Sequence, residues 1–212
     1  MDIYEAIHGR RSIRRYQTAK VGNETLIKLA QAAVTAPNGG NAQPWDFVFV
    51  TDPELITELC ALLRDVHSEY YGKARKDSMA GEQLDKVVAS YGRMAGAPAF
   101  VIACMRHRNR QLSQPYEEWT TLWAHHSVAA AMENLMLAAM AEGLGTCWLG
   151  TPSWQSDALR RLFIIPDDAE VIAVSPIGYP DESPKARPRL SAEEVAHHNR
   201  WGERLAEKEH DG

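Results

Sequence analysis

Residues 120–150 read TTLWAHHSVAAAMENLMLAAMAEGLGTCWLG. From Thr120 to Glu142, Ala, Leu and Met fall nearly all round the helical wheel. The spacing therefore predicts a long helix that is central and buried. Gly143 stands where such a helix stops, because glycine closes a last turn in the left-handed conformation at no steric cost. The chain then enters a strand near 145–150. Its glycines are not a dinucleotide fingerprint. That motif follows a strand and opens a helix, and here both the order and the spacing are wrong, which excludes a Rossmann site.

Working outward, Ala99–Met105 and 171–177 are continuous apolar runs of strand length, as is Phe47-Val48-Phe49-Val50, expected to be buried on both faces. Asp52-Pro53 marks a helix start, with Leu55, Ile56, Leu59, Leu62, Leu63 and Val66 at helical spacing. Asn23 is the expected N-cap of a helix through Val34, and residues 2–9 form another. Residues 68–96 and 106–118 are polar and weakly patterned and are read as excursions. Trp119 and Trp123, one turn apart, read as core, as do Met132, Met136 and Met140. After Gly178 the chain is broken by Pro180, Pro184 and Pro188. Ser191-Ala192-Glu193-Glu194 then forms a capping box for a last helix, with Val195, His198, Trp201 and Leu205 as its thin apolar stripe. Helices alternate with four strand candidates, which fits a helix–sheet–helix sandwich.

The 212 residues suit one domain. They are 45% hydrophobic and 24% charged, as expected of a soluble protein with a real core. The net charge of −5 argues against a general nucleic-acid or anionic-membrane binder. No secretory h-region opens the chain, and no apolar run spans a bilayer. Cys60, Cys104 and Cys147 form no disulfide framework, so a cytoplasmic location is expected. Neighbouring histidines, His125-His126 and His197-His198, point about 100° apart on a helix and make no two-ligand face, so no metal site is expected.

Four constellations carry chemistry. Arg10-Arg11-Ser12-Ile13-Arg14-Arg15 offers guanidinium and hydroxyl donors suited to phosphate, or is a solvated basic loop. Ala36-Pro37-Asn38-Gly39-Gly40-Asn41-Ala42-Gln43-Pro44-Trp45 lets backbone approach a flat ligand, with amides to read a heterocycle's edge. It equally suits a plain helix-to-strand loop. GLGTCWLG is a helix stop plus a core strand. Pro184-Lys185-Ala186-Arg187-Pro188-Arg189 alternates basic residues that close on phosphate or solubilise a tail.

RRSIR, APNGGNAQPW, GLGTCWLG and GYPDESPKARPR, in this order, resemble the nitroreductase family across residues 3–200. The resemblance implies an α+β fold, a nitroreductase-like α/β/α sandwich whose mixed central sheet is completed by a C-terminal strand exchanged between subunits. It implies one domain over 1–212, an excursion or lid at about 68–118, and an arm at 179–212 wrapping the partner of a homodimer. It implies FMN at the subunit interface, reduced by NAD(P)H. Arg10 and Ser12 would hold the phosphate with Arg187 and Arg189, and Arg11 lies within the motif. Arg14 would face the flavin N1/O2 edge, where negative charge appears on reduction. Pro37, Asn38, Gly39 and Asn41 would contact the flavin from the other subunit, and Trp148, Leu149 and Gly150 would line its ring.

The implied activity is ping-pong hydride transfer through flavin N5 to nitroaromatics, quinones or similar electrophiles, with no protein nucleophile or general base. Specialised flavin chemistry (enoate reduction, dehalogenation or flavin breakdown) and non-catalytic FMN binding stay open as alternatives. Two departures stand out. His125-His126-Ser127 replaces an acidic residue common early in the family's long helix. The halotyrosine branch's Glu, Tyr and Lys set is not found at matching positions in 68–96, which argues against deiodination.

Overall fold

The computed structural model describes residues 1–74, 85, 89, 92–106, 117–150 and 156–205. Much of the 68–118 excursion, including most of the segment bearing on deiodination, lies outside the described residues.

The chain begins with α1 (Ile3–Gly9), opened by a reciprocal capping box between Asp2 and Glu5. Helix α2 (Asn23–Val34) follows; Gly22, not Asn23, is its N-cap, and no side chain caps it. The extended backbone of Gly22 leaves Asn23 already helical. Strand β1 (Trp45–Val50) leads through the cap of Asp52, whose carboxylate accepts from the Glu54 and Leu55 amides, into α3 (Pro53–Ala74). That helix runs past residue 68 to Ala74, with Val66 and His67 buried just before that point. Strand β2 (Ala99–Arg106) precedes the long α4 (Glu117–Ala141), which ends before Gly143 at φ +76°. Then come β3 (Gly145–Thr146), α5 (Ser156–Phe163), β4 (Ala169–Gly178) and α6 (Ala192–Val195).

The sheet order is β1-β2-β4-β3, with antiparallel pairing throughout. A parallel pairing enters only where Ser12 bridges Thr146. Strand β2 alternates strictly. Ala99, Val101, Ala103 and Met105 join one core cluster, and Phe100, Ile102 and Cys104 join the other. A bulge keeps β4 in step: Ala103 pairs with Ala173 but Cys104 with Val171, so Ile172 is extra. Val171 and Val174 thus face the same side although three positions apart.

On one face lie α2 and α4, the latter presenting Val128, Ala131, Met132, Leu135 and Ala139. On the other lie α3, with Ile56, Leu59 and Leu63, and α5, with Leu159. The result is the expected α+β sandwich with helices on both faces. Among the described residues no helix is long and apolar enough to cross a membrane.

Four further expectations change. β1 is an edge strand among the described residues, and its middle residues are only half-buried because no described strand covers its outer side. Beyond Thr146 the strand near 145–150 keeps only one bridge, Leu149 to Val174. Trp119 and Trp123 are exposed rather than core. The last helix is one turn long; its capping box forms, but Ala196 is extended and the chain folds back, with the Leu205 amide donating to the Ala196 carbonyl. Val195, His198, Trp201 and Leu205 therefore share no helical stripe.

Candidate functional site

A cavity of about 650 Å³ opens between the end of α1, the following loop, α4 and the tail. Its walls carry Arg10, Arg11, Ser12 and Arg14 from the loop and Lys185, Arg187 and Arg189 from the tail. Six cationic side chains thus face one carboxylate, Glu133 of α4. A concave site with that balance attracts a compact multivalent anion, and guanidinium forks suit phosphate oxygens.

The loop is built as a short extended segment. The Ile13 amide donates to the Thr146 carbonyl at 2.9 Å, and its side chain is buried beside β3. Alternation then turns Ser12 and Arg14 away from that core, toward the cavity. Gly145 makes the approach possible: a Cβ there would lie 2.6 Å from Ile13 Cγ1. The Tyr16 hydroxyl donates to the Ile13 carbonyl at 2.5 Å. Burial raises the pKa of that phenol, so the donor stays protonated.

The arginines differ in their commitments. Arg11 Nη1 donates to the carbonyls of His8 (2.6 Å) and Arg10 (2.8 Å), a cation at the end of α1 where carbonyls lack helical partners. Arg14 Nη1 reaches the Ser12 carbonyl at 3.3 Å. Arg10 Nε lies 3.8 Å from Glu133 Oε1. The tail is stitched to this loop upstream of its basic residues. Gln17 N donates to the Tyr179 carbonyl, Asp181 N to the Arg15 carbonyl, and the Arg14 and Arg15 amides to Glu182 Oε1.

Cys147 sits beneath the loop, buried, with its amide donating to Ser175 Oγ at 3.1 Å. Burial raises its thiol pKa, partly offset by the Arg14 charge and a hydrogen bond with Ser12. A buried thiol of this kind is a poor nucleophile. Trp148 and Gly150 are exposed. Leu149 differs: its side chain is in the core, and its amide and carbonyl are both bonded to Val174, at 2.9 and 3.0 Å.

The fold thus brings three of the four sequence constellations together. The second stands apart. Pro37, Gly39 and Asn41 are exposed, and none of these residues lines the cavity. Asn38 braces its own loop, accepting from the Gln43 amide at 2.9 Å and donating to the Ala36 carbonyl at 3.3 Å. Gly40, Asn41 and Gln43 adopt positive φ, giving the loop a defined rather than random path. His125 bonds Glu170 at 2.8 Å, a tie between α4 and β4.

Lys185, one of the alternating basic residues of the tail motif, lines the cavity as well, whereas sequence reasoning gave Glu133 and Glu182 no role. Glu182 was legible only as one of two adjacent acids, with Asp181, in a tail motif whose other charges are basic, and nothing in the spacing of Glu133 placed it opposite Arg10.

A family model described as the nitroreductase family matches residues 7–179. A relative in Methanothermobacter thermautotrophicus, provisionally named NADH dehydrogenase/NAD(P)H nitroreductase, is 30% identical over 95% of this chain and 88% of its own. The iodotyrosine deiodinase of Thermotoga neapolitana is 25% identical over 88% of this chain and 93% of its own. Among solved structures, the NADPH:FMN oxidoreductase of Vibrio harveyi complexed with NAD+ shares the fold. Its TM-score is 0.74, at 23% identity, over 95% of this chain and 78% of its own.

Proposed function

The chain belongs to the nitroreductase family and is an oxidoreductase, and from that premise we propose that it is an FMN-dependent NAD(P)H oxidoreductase acting on nitroaromatic, quinone or similar electrophilic acceptors. The observation that carries this reading is the cavity in which six cations face one carboxylate. The donor set fits a phosphate monoester. Arg10, Ser12, Arg187 and Arg189 hold that phosphate, with Arg11 bracing the loop that presents them. Arg14 lies next along the same extended segment and serves the N1/O2 edge. When bound, FMN supplies the two-electron redox chemistry. The chain supplies position and charge, and its buried Cys147 is no nucleophile.

The working unit in this proposal is a homodimer of single-domain chains, with the arm that begins at residue 179 reaching the partner. Exposed Leu190, Val195, Trp201 and Leu205 on that arm support the assembly, as does the position of Pro37, Asn38, Gly39 and Asn41 outside their own chain's cavity. Trp148 and Gly150 face the ring, and Leu149 holds their backbone. Three free cysteines suit a reducing cytoplasm.

The purified protein is expected to be yellow, with about one FMN per chain, and to oxidise NADH or NADPH in the presence of a quinone. A colourless protein that takes up no added FMN would refute the proposal. The deiodinase relative favours a second reading, reductive dehalogenation, which iodide release from iodotyrosine would reveal.

A further inference from the structure

Glu182 is an acid at the edge of an anion cavity, where simple electrostatics places no acid. Its Oε1 accepts from the backbone amides of Arg14 at 2.5 Å and Arg15 at 3.1 Å. These donors lie in the middle of the basic loop, 168 and 167 positions away in sequence. The contact joins the two halves of the cavity: Arg10, Ser12 and Arg14 on one side, and Lys185, Arg187 and Arg189 just downstream of Glu182 on the other. Lys185 is three residues from Glu182, so fixing Glu182 limits how far the tail's cations can swing.

We infer that Glu182 is the positioning residue of the anion site, a latch that sets the loop backbone and the tail in register so that both sets of cations converge on one phosphate. This rests on the reading of the cavity as the cofactor's phosphate site. Glu182 does not touch the phosphate. It acts through the two amides, and what matters is the reach of its oxygen, not its charge. By charge alone, a carboxylate beside Arg14 weakens anion binding, and removing it would tighten the site. The latch has the opposite sign.

Two conservative variants separate reach from charge. Glu182→Asp keeps the charge and shortens the reach by one methylene. Glu182→Gln keeps an acceptor oxygen at the same reach and removes the charge. FMN and riboflavin, which lacks the phosphate, are titrated into apoprotein by fluorescence. Amide hydrogen exchange at Arg14 and Arg15 is measured in parallel without cofactor.

The expected result is that Glu182→Asp lowers FMN affinity by up to about tenfold, the scale of a lost hydrogen bond, and speeds exchange at both amides. Glu182→Gln keeps both near wild type; riboflavin, which meets Arg14 but none of the phosphate cations, loses less affinity than FMN in Glu182→Asp and none in Glu182→Gln. Glu182→Gln losing at least as much FMN affinity as Glu182→Asp, or neither losing any, would overturn the latch. So would a matching loss for riboflavin. Wild-type protein that binds no FMN instead overturns the cofactor reading, and the exchange rates then decide the latch alone.

Discussion

The two walls of the basic cavity carry the same number of cations but are built differently. The loop wall is braced at almost every residue. Ile13 is buried against β3, Tyr16 and Thr146 hold its backbone, and Arg11 and Arg14 donate to carbonyls of their own segment. On the tail wall, Lys185, Arg187 and Arg189 are exposed on a chain with no regular secondary structure. All three line the cavity, but among the described residues nothing like the loop's bracing fixes them. The lesson is one of preorganisation. A cation already in place gives its full attraction to an anion, whereas one on an unbraced side chain first loses rotamer entropy, roughly 0.5–1.5 kcal/mol each.

Arg10→Ala tests that contrast most severely. It removes a preorganised charge-assisted contact, expected to cost about 1.5–3 kcal/mol of FMN affinity, or roughly 10- to 100-fold. Isothermal titration measures it, and an unchanged Kd would break the comparison outright.

Gly145→Ala attacks the bracing itself. The new methyl would meet Ile13, a β-branched, buried side chain with little rotamer freedom. Overpacking of this kind costs roughly 1–3 kcal/mol, lowering Tm by about 2–4 °C per kcal/mol in a chain of this size. FMN affinity should fall with Tm. A lower Tm with unchanged affinity would show that bracing the loop does not organise the site.

Arg14→Ala separates binding from redox tuning within the braced wall. A fixed cation at the N1/O2 edge favours the reduced flavin, so its loss should lower the midpoint potential by roughly 30–60 mV, since 30 mV corresponds to about 1.4 kcal/mol for two electrons. Arg10→Ala should leave the potential nearly unmoved. Spectroelectrochemistry at saturating FMN decides, and equal potentials in wild type and Arg14→Ala would place another residue at that edge.

Arg187→Ala is the counterpart on the unbraced wall. After the ordering cost is subtracted, its loss should reduce FMN affinity by about tenfold or less. A loss exceeding that of Arg10→Ala would invert the comparison and mean that the tail is ordered before the ligand arrives.

The smallest effect belongs to a control far from both walls. Ile164 is a β-branched residue at φ +53°, 90% exposed, just past the end of α5. Glycine is the favoured residue at such a position. Ile164→Gly should raise stability by up to about 1 kcal/mol, net of glycine's extra unfolded-state entropy, with FMN affinity unchanged. A fall in Tm would mean that the exposed Ile side chain has packing partners outside this chain.

The sequence by itself determined the elements whose signals are local. The apolar periodicity of the long helix, the continuous runs of β2 and β4, the Asp52-Pro53 start and the Gly143 stop each depend on side chains within a few residues of one another. The same holds for the guanidinium and hydroxyl donors of RRSIR and its family likeness, which are properties of residue type and order.

Only the tertiary structure decided which groups meet. Glu182 and the Arg14 amide are separated by most of the chain, and no spacing rule spans such a gap. The exposure of Trp119 and Trp123, the shortness of the last helix and the edge position of β1 were likewise set by what packs against them, not by propensity. Leu149 shows the division most clearly. Its place in the motif marks it as part of the site, but the pairing of its backbone with Val174 and the burial of its side chain make it a support for its neighbours. A hydrogen bond across the fold is formed by whichever partner the folded backbone delivers, and that delivery depends on all the elements between them.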